Sequence, residues 1–323
     1  MKDADNENRP EVRLGISSCL LGIECRWNGV HKRDGFLVNT VSEFAEFVHC
    51  CPEYEIGLGI PREPLRLVRY DDGIRLMTSK TGKDHTEAMK DYSRKRIEEL
   101  KSESLDGYVL KKASPSCGME RVKVYKPDGH PLPPDAGIFG GMLVKAMPDL
   151  PVEEEGRLND PRLRENFFER LFAHARLRKL FDSEWSTGDL VRFHTSEKLL
   201  LLAHDPENYR KLGRLVASAK DSDKAELEKT YRGLYMRALS NLSTIGSNFN
   251  VLQHMSGYLR NIASIRARQD LHNTLEDYRR GFVPLVVPLT VIRHYARAYE
   301  VDYLLAQYYI NPHPRELKLR NYS

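Results

Sequence analysis

RLGISSCL, at residues 13–20, is a short apolar run that ends on a cysteine. The same arrangement recurs in VHCCPE at residues 48–53 and in VLKKASPSCG at residues 109–118, with helix-like segments in between. Short strands that alternate with helices are typical of βαβ units. The pattern therefore predicts an N-terminal α/β domain with a mostly parallel sheet.

Local patterns indicate the other elements of this domain. Three strands are expected at residues 13–17, 47–50 and 107–111. A pair of hairpin strands is expected at residues 65–70 and 74–78. The hairpin turn is Asp71-Asp72-Gly73. Residues 84–100 have the charged pattern of an exposed helix, and Asp84 followed by Glu87 at the third position predicts a capping box at its start.

A second domain is expected after residues 148–161 (PDLPVEEEGRLNDP), where prolines, an acidic run and the lack of periodicity are typical of a linker. Beyond it, apolar residues recur at three- and four-residue spacing, which predicts an all-α domain. The expected helices span residues 162–181, 188–203, 206–219, 224–240, 249–266 and 271–280. We therefore assign residues 12–147 to the α/β domain and 160–323 to the all-helical domain, with residues 1–11 as a disordered tail.

Composition limits the class of protein. With 323 residues, 41% of them hydrophobic and 30% charged, the chain is typical of a globular protein with two domains. No apolar run reaches the roughly 18–20 residues that span a bilayer, and the first eleven residues are unlike a secretory signal. We therefore expect no membrane association and a cytoplasmic location. Five cysteines at irregular spacing then favour metal binding or catalysis over disulfides.

Basic charge is concentrated in the second half, where residues 151–323 carry 27 Lys and Arg against 22 Asp and Glu. Such an excess fits either a phosphate-bearing partner or an ordinary solvated surface. The arginines concerned have tyrosine neighbours: Arg260, Arg266, Arg268, Arg279, Arg280, Arg293 and Arg297 with Tyr258, Tyr278, Tyr295 and Tyr299. This mixture is compatible with RNA binding by charge and stacking. The favoured interpretation is that the tyrosines fill the core while the arginines extend outward.

Cys19, Cys51 and Cys117 each follow a predicted strand. Because the carboxyl ends of parallel strands line one crevice, these three thiols are expected to converge there. The alternative is that cysteines pack as small buried hydrophobes, which suits Cys50, on the opposite face from Cys51, and Cys25 in a loop. It suits Cys117 poorly, because that residue lies in a turn and loops at strand ends often carry function. A structural zinc site remains an alternative, although the spacing is not that of a zinc ribbon.

Five short motifs resemble the thiouracil desulfidase (TudS) family in its longer form with a helical second domain. They are RLGISSCLLG at residues 13–22, RWNGVHKRD at 26–34, CPE at 51–53, TGKDHT at 81–86 and SPSCG at 114–118. VPLTVIRHY at 287–295 and NPHPRELKLRN at 311–321 resemble the same form, sometimes called YbgA-like. The resemblance therefore covers nearly the whole chain.

The resemblance implies a cofactor and a reaction. In that family three cysteines hold a 4Fe–4S cluster and leave the fourth iron free; carried over, the ligands are Cys19, Cys51 and Cys117, and Cys25 and Cys50 match no ligand position. The implied reaction is the non-redox desulfuration of a thiolated pyrimidine base or nucleoside, which replaces C=S by C=O and releases hydrosulfide. If the helical domain binds RNA, the substrate is a thiolated nucleotide within RNA.

Water must attack the ring carbon in such a reaction, which calls for a general base and a proton donor. Glu53, two residues after a ligand, is the candidate acid/base residue, and Ser114 and Ser116 are candidate donors to the substrate or the cluster. The structural alternatives are that Glu53 caps a helix and that the serines bond their own backbone. Candidates for recognising a pyrimidine edge or a phosphate are Arg26, His31, Arg33, Asp34 and Arg62.

A competing function is an iron–sulfur sensor or nucleic-acid-binding protein without turnover. Two other classes are disfavoured. Gly57-Leu58-Gly59 is not a dinucleotide fingerprint, because Pro61 follows where a helix should open. No P-loop sequence occurs either, so ATP-driven sulfur chemistry lacks support.

Overall fold

The structure, a computed structural model, describes residues 12–322, and the tail predicted at residues 1–11 lies outside that range. The chain divides into two units between Asp160 and Pro161. The first unit is α/β with a parallel sheet and the second is built from helices, so the predicted fold class is confirmed.

From residue 12 onward, the first unit contains two four-stranded sheets. Its strands are β1 (Val12–Ser17), β2 (Ala45–Cys50), β3 (Leu65–Tyr70), β4 (Gly73–Thr78), β5 (Gly107–Leu110), β6 (Val122–Tyr125), β7 (Pro131–Asp135) and β8 (Val152–Glu154). One sheet has the order β2-β1-β5-β8 with parallel pairings throughout. The other has the order β4-β3-β6-β7, where only the β3–β6 pairing is parallel. The predicted strands and the hairpin are confirmed to within a few residues, whereas β6, β7 and β8 were not predicted.

β1 is a central strand because it pairs with β2 along one edge and with β5 along the other, and its Leu14 and Ile16 are fully buried. Gly15 pairs with Tyr108 of β5, and a Cβ at residue 15 would lie 2.0 Å from a carbon of the Tyr108 ring. Only glycine therefore lets the ring lie against β1. The Tyr108 hydroxyl is in turn 3.0 Å from the Cys50 Sγ at the end of β2.

The helices of the first unit are α1 (Gly35–Asn39), α2 (Thr86–Ser102) and α3 (Ile138–Ala146). The capping box predicted at Asp84 is wrong, because α2 begins at Thr86 with His85 as the cap residue and no capping side chain. The Asp84 carboxylate instead accepts hydrogen bonds from the Thr86 amide at 2.8 Å and from its hydroxyl. Thr86 Oγ1 accepts from the Leu76 amide at 2.8 Å, so this pair ties the start of α2 to β4.

The linker predicted at residues 148–161 is also wrong. β8 lies within it and pairs with β5, and the first unit continues to Asp160. The three glutamates at 153–155 are buried. Their carboxylates accept hydrogen bonds from the Arg157 side chain and from the amides of Met119 and Lys112. Because each buried charge has a partner, an acidic run is tolerated inside the unit.

The second unit consists of α4 (Pro161–Phe181), α5 (Thr187–His204), α6 (Pro206–Ala217), α7 (Lys224–Ser240), α8 (Ile245–Leu259), α9 (Ile265–Arg279), α10 (Val286–Ala298) and α11 (Asp302–Leu305), with short 3₁₀ turns. The helices predicted at 162–181, 188–203, 206–219 and 224–240 are confirmed to within a few residues. The break predicted between 249–266 and 271–280 lies within α9, and the chain instead breaks after Leu259; α10 and α11 were not among the predicted helices. Ser264 caps α9 by accepting from the Ala267 amide at 3.1 Å, so the chain turns before it. Among residues 12–322, no helix is long and apolar enough to cross a membrane.

The tyrosines of the helical unit mainly serve its core. Tyr278 is buried, and Tyr295 and Tyr299 pack against the core, whereas Tyr258 is exposed and stacks on Tyr303 with ring centroids 4.7 Å apart. The neighbouring arginines lie mostly on the surface. The favoured interpretation, core tyrosines with arginines directed outward, agrees with this arrangement.

Candidate metal centre

The structure brings Cys19, Cys51 and Cys117 to one cavity of about 240 Å³ at the carboxyl edge of the parallel sheet. Cys19 lies in the one-turn helix Ser18–Leu21 that follows β1, and Cys51 directly follows β2. Cys117 lies in the turn after β5. The three thiols thus come from three neighbouring strands, and their role as metal ligands stays a prediction.

The surroundings of Cys51 and Cys117 disfavour the thiolate form. Burial, together with the charges of Cys50, Cys51 and Glu53, raises the pKa of the Cys117 thiol well above its ordinary value. The hydrogen bond with Cys25 and burial raise the pKa of Cys51. Metals bind the thiolate form, and a metal centre supplies the positive charge that offsets the cost of several buried thiolates. The donor set therefore fits a thiolate-bound metal centre.

Cys25, which the motif comparison left out, is a fourth thiol of the same cavity. It is only 4% exposed. Its hydrogen bond with Cys19 and its burial raise its pKa to about 11, while its hydrogen bond with Cys51 lowers it. Cys50 behaves as the sequence predicted, since it packs in the core with its Sγ against Tyr108, although it also borders the cavity. No sequence signal for Cys25 exists beyond its position near Cys19.

The turn that carries Cys117 is held by the start of α3. The Gly140 amide donates to the Ser116 carbonyl at 3.0 Å, and the Ile138 amide donates to the Pro115 carbonyl at 3.1 Å. A Cβ at residue 140 would lie 2.4 Å from the Cys117 carbonyl oxygen. Gly140 is therefore required for this close approach, and sequence reasoning missed it. The glycine-rich stretch at 137–141 is the signal that would have indicated it.

Glu53 lies at the centre of a hydrogen-bond network that borders the cavity. Its Oε2 accepts from Arg62 Nε at 3.1 Å and Arg62 Nη2 at 2.8 Å, and its Oε1 accepts from Ser116 Oγ at 2.7 Å. Ser114 Oγ is 3.0 Å from Ser116 Oγ and accepts from the Cys117 amide at 3.1 Å. All three predicted catalytic residues thus meet here, and none of them acts as a simple helix cap.

The polar recognition candidates fall into two groups. Arg26 and Arg62 line the cavity. His31, Arg33 and Asp34 are not among its lining residues. Asp34 accepts from the Leu37 amide at 3.0 Å and caps α1, Arg33 donates to Asn39 Oδ1, and His31 Nδ1 accepts from the Arg33 amide. The lining also includes Trp27, 42% exposed, and Lys112, neither of which the sequence had indicated.

Within residues 12–322, no three His, Cys, Asp or Glu side chains lie close enough together to hold a single metal ion.

Comparisons with known proteins agree with the motifs. A family described as 2-thiouracil desulfurase matches residues 14–155, and one described as a protein of unknown function (DUF1722) matches residues 198–314. "Uncharacterized protein YbgA" of Escherichia coli is 35% identical over 153 residues, which are 47% of this chain and 90% of that protein. "Uncharacterized protein YbbK" of Bacillus subtilis is 34% identical over 108 residues, 32% of this chain and 71% of that protein.

Among solved structures, a [4Fe-4S]-dependent thiouracil desulfidase, TudS, is similar with a TM-score of 0.38 and 24% identity, over 46% of this chain and 95% of that one. None of these similarities supports RNA binding by the helical unit.

Proposed function

We propose that this chain, which belongs to the thiouracil desulfidase (TudS) family in its long YbgA-like form, removes sulfur from thiolated pyrimidine bases or nucleosides without redox change. The observation that carries the proposal is the meeting of three strand-end thiols with Glu53 and Ser116 at one cavity. The overall reaction turns C=S and water into C=O and hydrosulfide, with release of one proton.

Cys19, Cys51 and Cys117 are the residues that would hold a 4Fe–4S cluster. Thiolates are the preferred ligands of such clusters, and three protein ligands leave one of four irons free. When bound, the cluster would supply an open iron as a Lewis acid, which would make the thiocarbonyl sulfur a better leaving group.

Glu53 is arranged to act as the general base. The two Arg62 N–H groups on Oε2 and the Ser116 hydroxyl on Oε1 hold the carboxylate in place at the cavity. Glu53 accepts a proton from the attacking water, whose oxygen forms the new C–O bond as the C–S bond breaks. The other water proton leaves with the sulfur as hydrosulfide. Ser116, which donates to Glu53 and contacts Ser114, is the group through which the proton moves on.

Sulfide release from the cluster-loaded protein tests the function. The protein is reconstituted anaerobically and incubated with 2-thiouracil, 4-thiouracil, their nucleosides and thiolated RNA. We expect sulfide from at least one of them, no sulfide from Cys51→Ala, and unchanged release from Cys50→Ser as the matched control. No sulfide from any thiolated pyrimidine would favour the sensor function instead.

Two further measurements separate the remaining alternatives. Metal analysis should give iron and labile sulfide at about four to four, whereas zinc without sulfide would indicate a structural zinc site. Glu53→Gln should lower kcat about 10²–10⁴-fold, the usual range for loss of a general base, while iron content stays that of the parent. An unchanged kcat would remove Glu53 from the mechanism.

A further inference from the structure

We propose that Trp27 is the substrate-binding residue that recognises the pyrimidine ring, through packing of its indole against the face of that ring. The inference rests on the proposed function, because it takes a thiolated pyrimidine as the substrate. It assigns a role to an aromatic side chain for which neither the cysteine ligands nor Glu53 account.

Trp27 is the aromatic side chain of the cavity. It lines the same cavity as the three strand-end thiols and Glu53, and no other aromatic residue is among the described residues that line it. The remaining apolar lining consists of short side chains such as those of Pro64 and Leu65. Trp27 therefore supplies the extended apolar surface against which a planar ligand can pack.

The indole of Trp27 is open to such a ligand. The residue is 42% exposed, and among residues 12–322 no other aromatic ring or cation stacks on it. Trp185 in the helical unit differs in each respect. It is 6% exposed, its ring centroid is 5.3 Å from that of Phe181, and Lys224 Nζ lies 4.5 Å from its ring centroid. Of the two tryptophans, only the one at the cavity is thus left without a ring or cation partner.

The backbone fixes Trp27 at the cavity. It lies in a turn that is closed by the Gly29 amide, which donates to the Arg26 carbonyl at 3.0 Å. The Trp27 carbonyl accepts from the Arg62 amide at 2.7 Å. Because the Arg62 side chain also binds Glu53, one residue holds both the candidate base and the loop that carries the indole. A side chain on a fixed loop loses little freedom when a ligand binds.

The size of the cavity suits a single ring. Its volume of about 240 Å³ is below the roughly 300–1,000 Å³ of sites for drug-sized ligands. Stacking on an aromatic side chain strengthens the binding of a base about 5- to 150-fold. It is tolerant of the identity of the base, because every base has a π-face. A pyrimidine should therefore gain from Trp27 whichever ring carbon carries the sulfur.

The contact should act on binding and not on the chemical step. Packing against a ring face requires no bond to form or break, so its loss should raise KM and leave kcat near the parent value. Loss of a general base has a different signature, which is a lower kcat. The split between KM and kcat therefore separates a ring-binding Trp27 from one that acts in catalysis.

Binding of uracil and uridine, the oxygen counterparts of the substrates, tests the inference without turnover. Equilibrium dialysis is carried out on the full-length protein after anaerobic reconstitution. Trp27→Phe keeps an aromatic face, and Trp27→Leu keeps only an apolar side chain. Tyr54→Ala is the matched control, because Tyr54 is 53% exposed beside Glu53 but is not among the lining residues. At equal iron content, we expect a Kd about 5- to 150-fold higher in Trp27→Leu, and values near that of the parent in Trp27→Phe and the control.

Two further readouts locate the effect at the ring. In a Trp185→Phe background Trp27 is the remaining tryptophan, and uridine should quench its fluorescence as the base packs against it. With the thiolated pyrimidine that releases sulfide fastest, Trp27→Leu should raise KM about 5- to 150-fold at a kcat near that of the parent.

Each other outcome has a defined meaning. An equal Kd in the parent and Trp27→Leu overturns the inference, as does a parent that binds neither compound. A loss confined to kcat also overturns it, because Trp27 would then act in the chemical step. Equal weakening in Trp27→Phe and Trp27→Leu with lower iron content overturns it as well, because Trp27 would then support the fold. Binding that depends on Trp27 without sulfide release from any thiolated pyrimidine overturns only the proposed reaction.

Discussion

Arg62 is the residue whose removal should disturb the site most. Its side chain is 5% exposed and that of Glu53 is 14% exposed, so their ion pair is largely buried. Arg62 also donates to the carbonyls of Gly59 at 3.0 Å and Cys25 at 2.9 Å. Arg62→Ala leaves the buried Glu53 carboxylate without its cationic partner and two carbonyls without their arginine donor.

The expected loss in free energy of unfolding follows from the Glu53 charge, which Arg62→Ala leaves buried without a cationic partner. Removing one partner of a buried ion pair costs about 3–5 kcal/mol, because the remaining charge stays desolvated. Arg62→Lys should cost less, since an ammonium keeps the charge but cannot form the two parallel N–H contacts of a guanidinium. In a Glu53→Gln background the charge is absent, so Arg62→Ala should cost about 1–3 kcal/mol less than in the parent, the coupling typical of residues in contact.

Urea unfolding of the four members of this double-mutant cycle measures both quantities. Circular dichroism follows the whole chain, and the fluorescence of Trp27 reports on the first unit in a Trp185→Phe background. The transition of the helical unit is the internal control and should not move. A cost below about 1 kcal/mol for Arg62→Ala, or costs that simply add in the double variant, would refute the view that Arg62 compensates a buried Glu53 charge.

Two further predictions concern a glycine and a histidine. Gly140→Ala should destabilise the first unit by about 1–3 kcal/mol, the usual cost of overpacking, and lower the iron content by displacing Cys117. The control is Gly257→Ala, because no atom lies within 4 Å of a Cβ at that residue; it should stabilise the protein by about 0.5–1 kcal/mol and leave the iron content unchanged. Equal effects of the two substitutions would contradict this prediction. Burial lowers the pKa of His194 from 6.5 to about 4. Between these pH values the unfolded chain binds one proton more than the folded chain, so the free energy of unfolding of the helical unit should fall by about 3 kcal/mol as the pH falls from 6.5 to 4. Urea unfolding against pH should show this dependence flattened by about one proton in His194→Gln, and an unchanged slope would mean that His194 titrates normally.

The sequence was sufficient to predict that the strand-end cysteines lie at one cavity, because their placement depends mainly on backbone topology. Parallel strands place their carboxyl ends together whatever the side chains are, so Cys19, Cys51 and Cys117 could be assigned to one edge once the strands were recognised. Cys25 could not be assigned in this way. It lies in a loop whose course depends on the distant Arg62, and contacts of that kind leave no periodic or local signal.

The predicted helix boundaries are wrong where a polar side chain could form either of two local hydrogen bonds. Asp84 suits a capping box by sequence, yet its carboxylate binds Thr86, whose hydroxyl is in turn engaged by β4. Likewise, apolar spacing continues across the junction of α8 and α9, and the cap at Ser264 separates them. In both places the three-dimensional partner decides which of the locally reasonable hydrogen bonds forms.

The acidic run at 153–155 shows that distant hydrogen-bond partners, which the sequence does not reveal, also shape the site itself. Glu154 Oε1 accepts from the Met119 amide at 2.9 Å, and Glu155 Oε2 accepts from the Lys112 amide at 2.7 Å. These two amides flank the turn that carries Cys117, so consecutive carboxylates at the end of β8 brace the third expected ligand from both sides. Burial raises the pKa of Glu154, which shows that the carboxylate is placed there at an energetic cost. The segment expected to separate the domains therefore belongs to the α/β unit, and its carboxylates hold both ends of the turn that carries Cys117.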